Sequence, residues 1–284
     1  MSVKRFSIII PCYNEEKAIG NVLKELTSLP EEPEIIVIND GSNDRSSEII
    51  QQYKVKVVTH PYRKGYGASL KSGIVSASSP SLIFFDGDGQ HPSSDIARFI
   101  AELDHYDFVI GSRTSSETSP AFRRPGKTIL KWVAQILTGR KISDLNCGFR
   151  AVKKNIIQKY LHLLPQGFSF STTMTLIGFS RGYNVTFLPV ATTKRIGKST
   201  VSMKDGINTL LLIIRFITLF NPLKIFFPVS SILFLIGILW SIPYLLTGKG
   251  LTVASLFLLF TSITVFFFGI LADQISQLRL EKYE

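Results

Sequence analysis

Over roughly its first two hundred residues the chain alternates short apolar runs with stretches of helical period, and two much longer apolar runs follow. The short runs Phe6–Ile10, Glu34–Ile38, Val55–Thr59, Ser81–Phe85, Asp107–Ser112 and Asn184–Val190 have the length and bounding turn residues of buried strands. Between the first two, Ile19, Val22, Leu23 and Leu26 recur at helical spacing and stop before Pro30. Asn14 reads as the N-cap of that helix, with Glu15 and Glu16 suited to its positive end. A second helix runs to about Tyr53. A third covers residues 68–77, opened by the glycine-punctuated loop Arg63-Lys64-Gly65-Tyr66-Gly67, and a fourth is read over 127–137. Strand–helix alternation of this kind implies an α/β fold, a mainly parallel sheet with helices on both faces.

The long apolar runs change the picture. Residues 225–247 and 251–272 carry no charge, and each is a little over 20 residues, close to what a helix needs to cross a bilayer core. Two such helices are apolar on every side, which a domain of this size cannot cover with its own surface. The short Gly248-Lys249-Gly250 link makes them a hairpin with both ends on one side. Arg279 and Lys282 then join the basic N-terminal part there, with Lys249 opposite, the cytoplasmic-inside arrangement. Ahead of the hairpin, residues 207–220 are apolar except for Asn208, Thr209, Arg215 and Thr218, too short to span but suited to lie in the interface. The expected division is a catalytic-type domain over 1–202, an amphipathic juxtamembrane helix over 203–222 and a transmembrane hairpin with a short tail over 223–284.

The formal net charge of +11 calls for an anionic partner. A lipid bilayer accounts for it; nucleic acid does not, because basic stretches interleaved with aromatics are absent. The two cysteines, Cys12 and Cys147, fit free thiols in a reducing compartment. Phe6–Ile10 is too short an apolar run for a secretion signal.

The chemistry gathers at Asp86-Gly87-Asp88-Gly89-Gln90-His91-Pro92, straight after a predicted strand. Two carboxylates one residue apart repel unless a cation sits between them, although Asp and Gly are also ordinary turn residues. Asp40 likewise follows a predicted strand. In a parallel sheet both clusters emerge at one edge, where the ligands of such sheets bind.

In order and at familiar spacing, Pro11-Cys12-Tyr13-Asn14-Glu15, Asn39-Asp40-Gly41-Ser42, the Gly65–Gly67 loop and Asp86–Pro92 resemble the motifs of inverting family-2 glycosyltransferases with a GT-A, Rossmann-like fold. The resemblance implies that Pro11, Tyr13, Glu15 and Asp40 line a nucleoside pocket; Lys64 reads either as approaching the pyrophosphate or as a solvated loop lysine. It also implies that Asp86, Asp88 and Gln90 hold a Mg²⁺ or Mn²⁺ bridging to the diphosphate. Asn39 departs from the family, which often has Asp there.

Gly111-Ser112-Arg113, the paired Arg123-Arg124, Asp144-x-x-x-Gly148-Phe149-Arg150 and Arg195-x-Gly197-x-Ser199 resemble a narrower group, the polyisoprenyl-phosphate glycosyltransferases. That resemblance implies inverting transfer of a hexose from a UDP- or GDP-linked donor to undecaprenyl or dolichyl phosphate. The setting is the cytoplasmic face of a cell membrane, or of an ER-type membrane in a eukaryote. Arg113 and either Arg123 or Arg124 would clamp the acceptor phosphate with Ser199, and Arg195 would close over the diphosphate. Asp144 would orient the acceptor or a sugar hydroxyl, Arg150 would close on a local carboxylate, and His91 would orient the acidic loop through hydrogen bonds. A homo-oligomer, tetrameric in some two-span members, is compatible with the group. The competing readings are a family-2 transferase with another membrane acceptor and a nonenzymatic subunit that binds nucleotide or anionic lipid. The Gln-x-x-Arg-Trp run of processive synthases is absent.

Overall fold

The computed structural model describes residues 5–114, 135, 139–167, 169–192 and 221–281, with side chains to Leu278. The chain divides into two compact units, residues 1–210 and 211–284.

The first unit is built on a seven-stranded sheet in the order β3-β2-β1-β4-β6-β5-β7. Its strands are β1 (Phe6–Cys12), β2 (Glu34–Asn39), β3 (Lys56–Thr59), β4 (Ser81–Phe84), β5 (Phe108–Arg113), β6 (Arg150–Lys153) and β7 (Val185–Val190). β1 pairs in parallel with β2 and β4, β2 with β3, and β5 with β7. Only β6 among these runs antiparallel, between β4 and β5. Ile8 to Ile10 and Ile36 to Ile38 are wholly buried, as continuous apolar runs in a sheet covered on both faces should be.

Among the described residues of this unit the helices are α1 (Ile19–Thr27), α2 (Ser46–Ile50), α3 (Tyr66–Ser76), α4 (Asp95–Glu102), α5 (Lys154–Lys159) and α6 (Phe170–Ser180). α1 buries Ile19, Val22, Leu23 and Leu26, the four residues of its predicted stripe. The expected Asn14 cap is not formed: the helix starts at Ile19 with Ala18 before it. Asn14 adopts φ 55° and exchanges side-chain hydrogen bonds with Asn43, 2.7 Å as donor and 3.0 Å as acceptor. It therefore ties the loop after β1 to the loop after β2 instead of capping a helix. The helix read over 127–137 falls, apart from Gln135, outside the described residues.

The second unit is a hairpin of α7 (Leu223–Leu246) and α8 (Val253–Glu281). Both helices are long and apolar enough to cross a membrane, each with a mean hydropathy of 2.3 in its most apolar window. Most of their large apolar side chains are exposed, including Leu239, Trp240, Phe257 and Phe260, so these are not core helices. Small residues let them meet. A Cβ on Gly269 would lie 2.6 Å from the Cβ of Phe226, and Ser262 Oγ donates to the Ser230 carbonyl at 2.9 Å. The expected juxtamembrane helix over 203–222 lies outside the described residues as far as Phe220.

Candidate active site

Because β1, β2, β4 and β5 all run one way, Tyr13, Asp40, Asp86 and Arg113 emerge at one edge of the sheet. The antiparallel β6 begins at that edge, and this brings the segment before it, Asp144 to Phe149, to the same place.

Asp40 is 3 % exposed and accepts three hydrogen bonds. The Lys64 amide donates to Oδ1 and the Gly65 amide to Oδ2, both at 2.8 Å, and His60 Nδ1 lies 2.7 Å from Oδ1. Most of the carboxylate is thus spent on the loop between β3 and α3, rather than presented whole to a base. His60 is itself buried, its other nitrogen 2.9 Å from Ser72 Oγ on α3. Asn39 serves where the family often has Asp, because its Oδ1 accepts the Ser42 amide at 3.0 Å, a bond an amide oxygen makes as well as a carboxylate. Tyr13 is half-buried with the Arg63 guanidinium 4.3 Å from its ring centroid. Pro11 lies in β1 opposite Ile38, and the Glu15 amide donates to Ser46 Oγ at 2.9 Å. The Lys64 ammonium is 5.9 Å from the Tyr62 ring centroid.

The acidic pair follows β4. Asp86 is half-buried and Asp88 is 6 % exposed, with the Gln90 amide donating to Asp88 Oδ1 at 3.2 Å. Tyr66, the first residue of α3, donates its hydroxyl to Asp86 Oδ1 at 3.0 Å. Burial, then the neighbouring Asp86 charge, holds the Tyr66 phenol well above its ordinary value, so it is protonated at neutral pH. On the other side lies Gly148: a Cβ there would stand 2.2 Å from Asp86 Oδ2 and 2.9 Å from the Tyr66 hydroxyl. Only glycine leaves that carboxylate its position.

Hard oxygen donors in a cradle that a methyl group would fill suit Mg²⁺ or Mn²⁺. Among the described residues no group of three or more His, Cys, Asp or Glu is placed to hold a metal. Asp86 and Asp88 form a partial set of the kind that substrate phosphates and water complete around such ions.

Arg113, at the end of β5, is gripped by Asp144. Nε donates to Oδ2 at 2.7 Å and Nη2 to Oδ1 at 2.9 Å, a bidentate fork. Burial pushes the Asp144 carboxyl upward, but the hydrogen bonds and charge of Arg113, with the Asn146 amide, outweigh it and hold the group below its usual range. Burial also opposes the Arg113 charge, and Asp144 more than restores it. Asp144 therefore engages an arginine, where the sequence pointed to an acceptor or sugar hydroxyl.

One expectation is corrected, and one ring nitrogen of His91 is accounted for. Arg150 closes on no carboxylate by hydrogen bond: it is 1 % exposed, and it donates to the Cys147 carbonyl through Nε at 3.0 Å and through Nη2. Nη1 reaches the Ser171 carbonyl at 2.7 Å and Thr175 Oγ1 at 3.2 Å. Backbone oxygens win because Arg150 starts a central strand directly after the turn that carries the Cys147 carbonyl, and it faces Ser171 and Thr175 on α6. His91 does not orient the loop through its Nδ1, which is buried without a hydrogen-bond partner. Its ring packs 5.2 Å from the centroid of Phe149, which also stacks on Phe99 at 4.1 Å. Both cysteines are buried free thiols pushed up to about 12 by burial, with no reactive character.

Arg123, Arg124, Arg195 and Ser199 lie outside the described residues. The structure adds Tyr66, His60 and Gly148 as residues that shape the site. Tyr66 and Gly148 sit inside the motifs read from sequence, whereas nothing in the sequence marks His60.

The chain matches glycosyl transferase family 2 over residues 7–162 and the GtrB C-terminal hairpin over 221–278. Among similar proteins, dolichyl-phosphate hexose transferase of Haloferax volcanii is 27 % identical over 203 residues, 70 % of this chain and 88 % of the relative. Undecaprenyl-phosphate 4-deoxy-4-formamido-L-arabinose transferase of Photorhabdus laumondii is 25 % identical over 279 residues, covering 93 % of this chain and 84 % of the relative. Glucosyl-3-phosphoglycerate synthase from Mycobacterium tuberculosis, solved with Mn²⁺, UDP and glucosyl-3-phosphoglycerate, superposes with a TM-score of 0.61 at 17 % identity, over 75 % of this chain and 80 % of that one. The mixed sheet is of GT-A type, the family model covers more than half of the chain, and the chain belongs to glycosyltransferase family 2.

Proposed function

We propose that this chain transfers a sugar from a UDP- or GDP-linked donor to the phosphate of a polyprenyl lipid, with inversion at the anomeric carbon. One observation carries the reading: the acidic pair Asp86/Asp88 and the Arg113–Asp144 fork stand at the same sheet edge, tied to the one segment 144–150. A site with carboxylates on one side and an arginine fork on the other suits a reaction between two phosphates. The relatives named above act on dolichyl and undecaprenyl phosphates, and the chain carries an apolar hairpin that would hold it in the bilayer where such lipids reside.

A phosphomonoester is already anionic at neutral pH, its second ionisation lying near pH 6, so its oxygen attacks without a strong base. The obstacle is charge: two phosphates a few ångströms apart repel by several kcal/mol at an effective dielectric of about 20. In this reading Asp86, Asp88 and Gln90 hold a Mg²⁺ or Mn²⁺, which when bound would neutralise the leaving diphosphate. Asp144 engages the Nε edge of Arg113 and orients the rest of the planar fork toward the acceptor phosphate. The Asp40-anchored loop shapes the nucleoside end, with Tyr13 and Arg63 offering a stacking surface. Arg123 or Arg124, Arg195 and Ser199 keep the phosphate-binding roles inferred from their motifs. Arg279 and Lys282 against the lone Lys249 give an orientation with the catalytic unit on the cytoplasmic side.

The test is a donor screen. The full chain in detergent or liposomes is given labelled UDP- and GDP-sugars with a polyprenyl phosphate, with and without EDTA. Organic-extractable label of inverted configuration, lost on chelation, is expected for one donor. Release of free sugar alone, or transfer only to an acceptor lacking a phosphate, overturns the reading.

A further inference from the structure

We propose that Tyr66 is the positioning residue of the metal-side carboxylate: its hydroxyl fixes the orientation in which Asp86 meets a divalent cation. The inference rests on the reading that Asp86 is a metal ligand, and it concerns a residue outside the ligand set.

The backbone leaves Tyr66 little freedom. Gly65 has φ 107°, and a Cβ on it would stand 2.9 Å from the Gln166 carbonyl oxygen. A Cβ on Gly67 would stand 2.3 Å from the Pro165 carbonyl oxygen, and the Ala68 amide donates to the Gln166 carbonyl at 3.0 Å. The chain on either side of Tyr66 is thus pressed against the 165–167 backbone, where only glycine fits. Asp40 holds the two amides just before it, those of Lys64 and Gly65. One loop therefore carries the grip of the nucleoside-side carboxylate at residues 64 and 65 and, at the next residue, a donor for the metal-side carboxylate.

The phenol oxygen also lies near the hydroxyl of Ser171, the residue whose carbonyl receives Arg150. With Tyr66 on Oδ1 and the Gly148 backbone close against Oδ2, the Asp86 carboxylate cannot turn about its own axis without losing a hydrogen bond or striking the chain. An outer residue that orients a ligating carboxylate in this way raises metal affinity without touching the metal, and losing it typically costs about 10–100-fold. A tyrosine that merely fills the core does no such thing. Its hydroxyl needs an acceptor, and removing that hydroxyl leaves metal binding where it was.

Tyr66→Phe separates the two, because it keeps the ring and removes only the donor. Binding of Mn²⁺ alone, and of Mn²⁺ with UDP or GDP, is measured on the full-length chain in detergent from the free-ion EPR signal. Wild type, Tyr66→Phe and Asp86→Asn are compared. The expected result is a 10–100-fold weaker Mn²⁺ Kd for Tyr66→Phe with a near wild-type Tm, and binding abolished in Asp86→Asn. In the transfer assay the Mn²⁺ concentration giving half-maximal rate rises by the same factor, while the rate at saturating Mn²⁺ falls less. Ser171→Ala, which removes the hydroxyl behind the phenol, shifts the Kd the same way by a smaller factor and serves if the first variant folds poorly. Wild-type Mn²⁺ affinity in both Tyr66→Phe and Ser171→Ala overturns the proposal and leaves the metal reading standing. Failure of the wild-type chain to bind Mn²⁺ with either nucleotide overturns the metal reading, and the proposal falls with it.

Discussion

Gly148→Ala is the most economical perturbation of this site. The added methyl would lie 2.2 Å from Asp86 Oδ2, 2.9 Å from Asp86 Cγ and 2.9 Å from the Tyr66 hydroxyl. Restoring even a tight contact moves the carboxylate oxygen by about 1 Å, a displacement that costs roughly 10²-fold when it falls on a group that orients a reaction. That factor is about 2.7 kcal/mol of transition-state stabilisation. The fold should notice less. Gly148 does not need a positive φ, so alanine adopts its backbone and stiffens the unfolded chain, a gain of about 0.4–1 kcal/mol. Against this stands an overpacking cost of about 1–3 kcal/mol, at the lower end because a short carboxylate side chain can swing away. The damage therefore lands on Asp86 rather than on stability.

Initial rates of sugar transfer across a Mn²⁺ titration, with a thermal melt of the same preparation, read both quantities. A rate near 1 % of wild type with Tm changed by only a few degrees is expected. Gly167→Ala is the control, since a Cβ there meets nothing within 4 Å. A Gly148→Ala enzyme within threefold of wild type at subsaturating Mn²⁺ would refute the assignment of Asp86 to the metal side.

Asp144→Asn should lower stability by about 1–3 kcal/mol and the transfer rate by more than tenfold, through loss of the charged half of the Arg113 fork. Since the folded carboxyl lies below its ordinary 3.8, its stabilisation is complete above that value and is lost as pH falls through the lower folded value. Melts of wild type and Asp144→Asn should therefore converge below about pH 4 and stay parallel between pH 6 and 8. Asp40→Asn sets an amide N–H₂ against one of two backbone donors. It should cost about 1–3 kcal/mol and weaken UDP or GDP binding by calorimetry at least tenfold, without changing which nucleotide is preferred. Arg150→Met leaves the Cys147 carbonyl without its guanidinium donors in the interior and should cost about 1–3 kcal/mol in a melt, a loss of folded protein rather than of a contact to substrate.

Strands carrying the edge were readable because a parallel sheet buried on both faces demands continuous apolar runs, and Ile8–Ile10 and Ile36–Ile38 are such runs. α4 is equally legible, since Ile96, Phe99, Ile100 and Leu103 keep helical spacing and are buried. β6 is different in kind. Four residues between a loop and a helix carry no period of their own, and its antiparallel direction follows only from pairing with β4 and β5. Within the site, sequence reached the charged groups and missed what they are bonded to. A loop aspartate such as Asp144 carries no sign in the sequence of its arginine partner 31 residues upstream. His60 bears no mark in the sequence, its partners Asp40 and Ser72 being 20 and 12 residues away.

The reversed strand explains how one short segment comes to meet both Asp86 and Arg113. Were β6 parallel to its neighbours, the residues before it would sit at the opposite edge, away from Asp86 and Arg113. Running backward, it places Arg150 beside Phe84 and Ile110 and delivers the preceding turn between the ends of β4 and β5. Gly148 then meets Asp86, Phe149 packs against Phe85, and Asp144 reaches Arg113. A buried guanidinium spent on backbone carbonyls is costly to desolvate and makes sense here as the anchor of that turn. Its charge also lies close enough to attract the carboxylates of Asp144 and Asp86, so the residue that fixes the segment's shape also sits in the field of both.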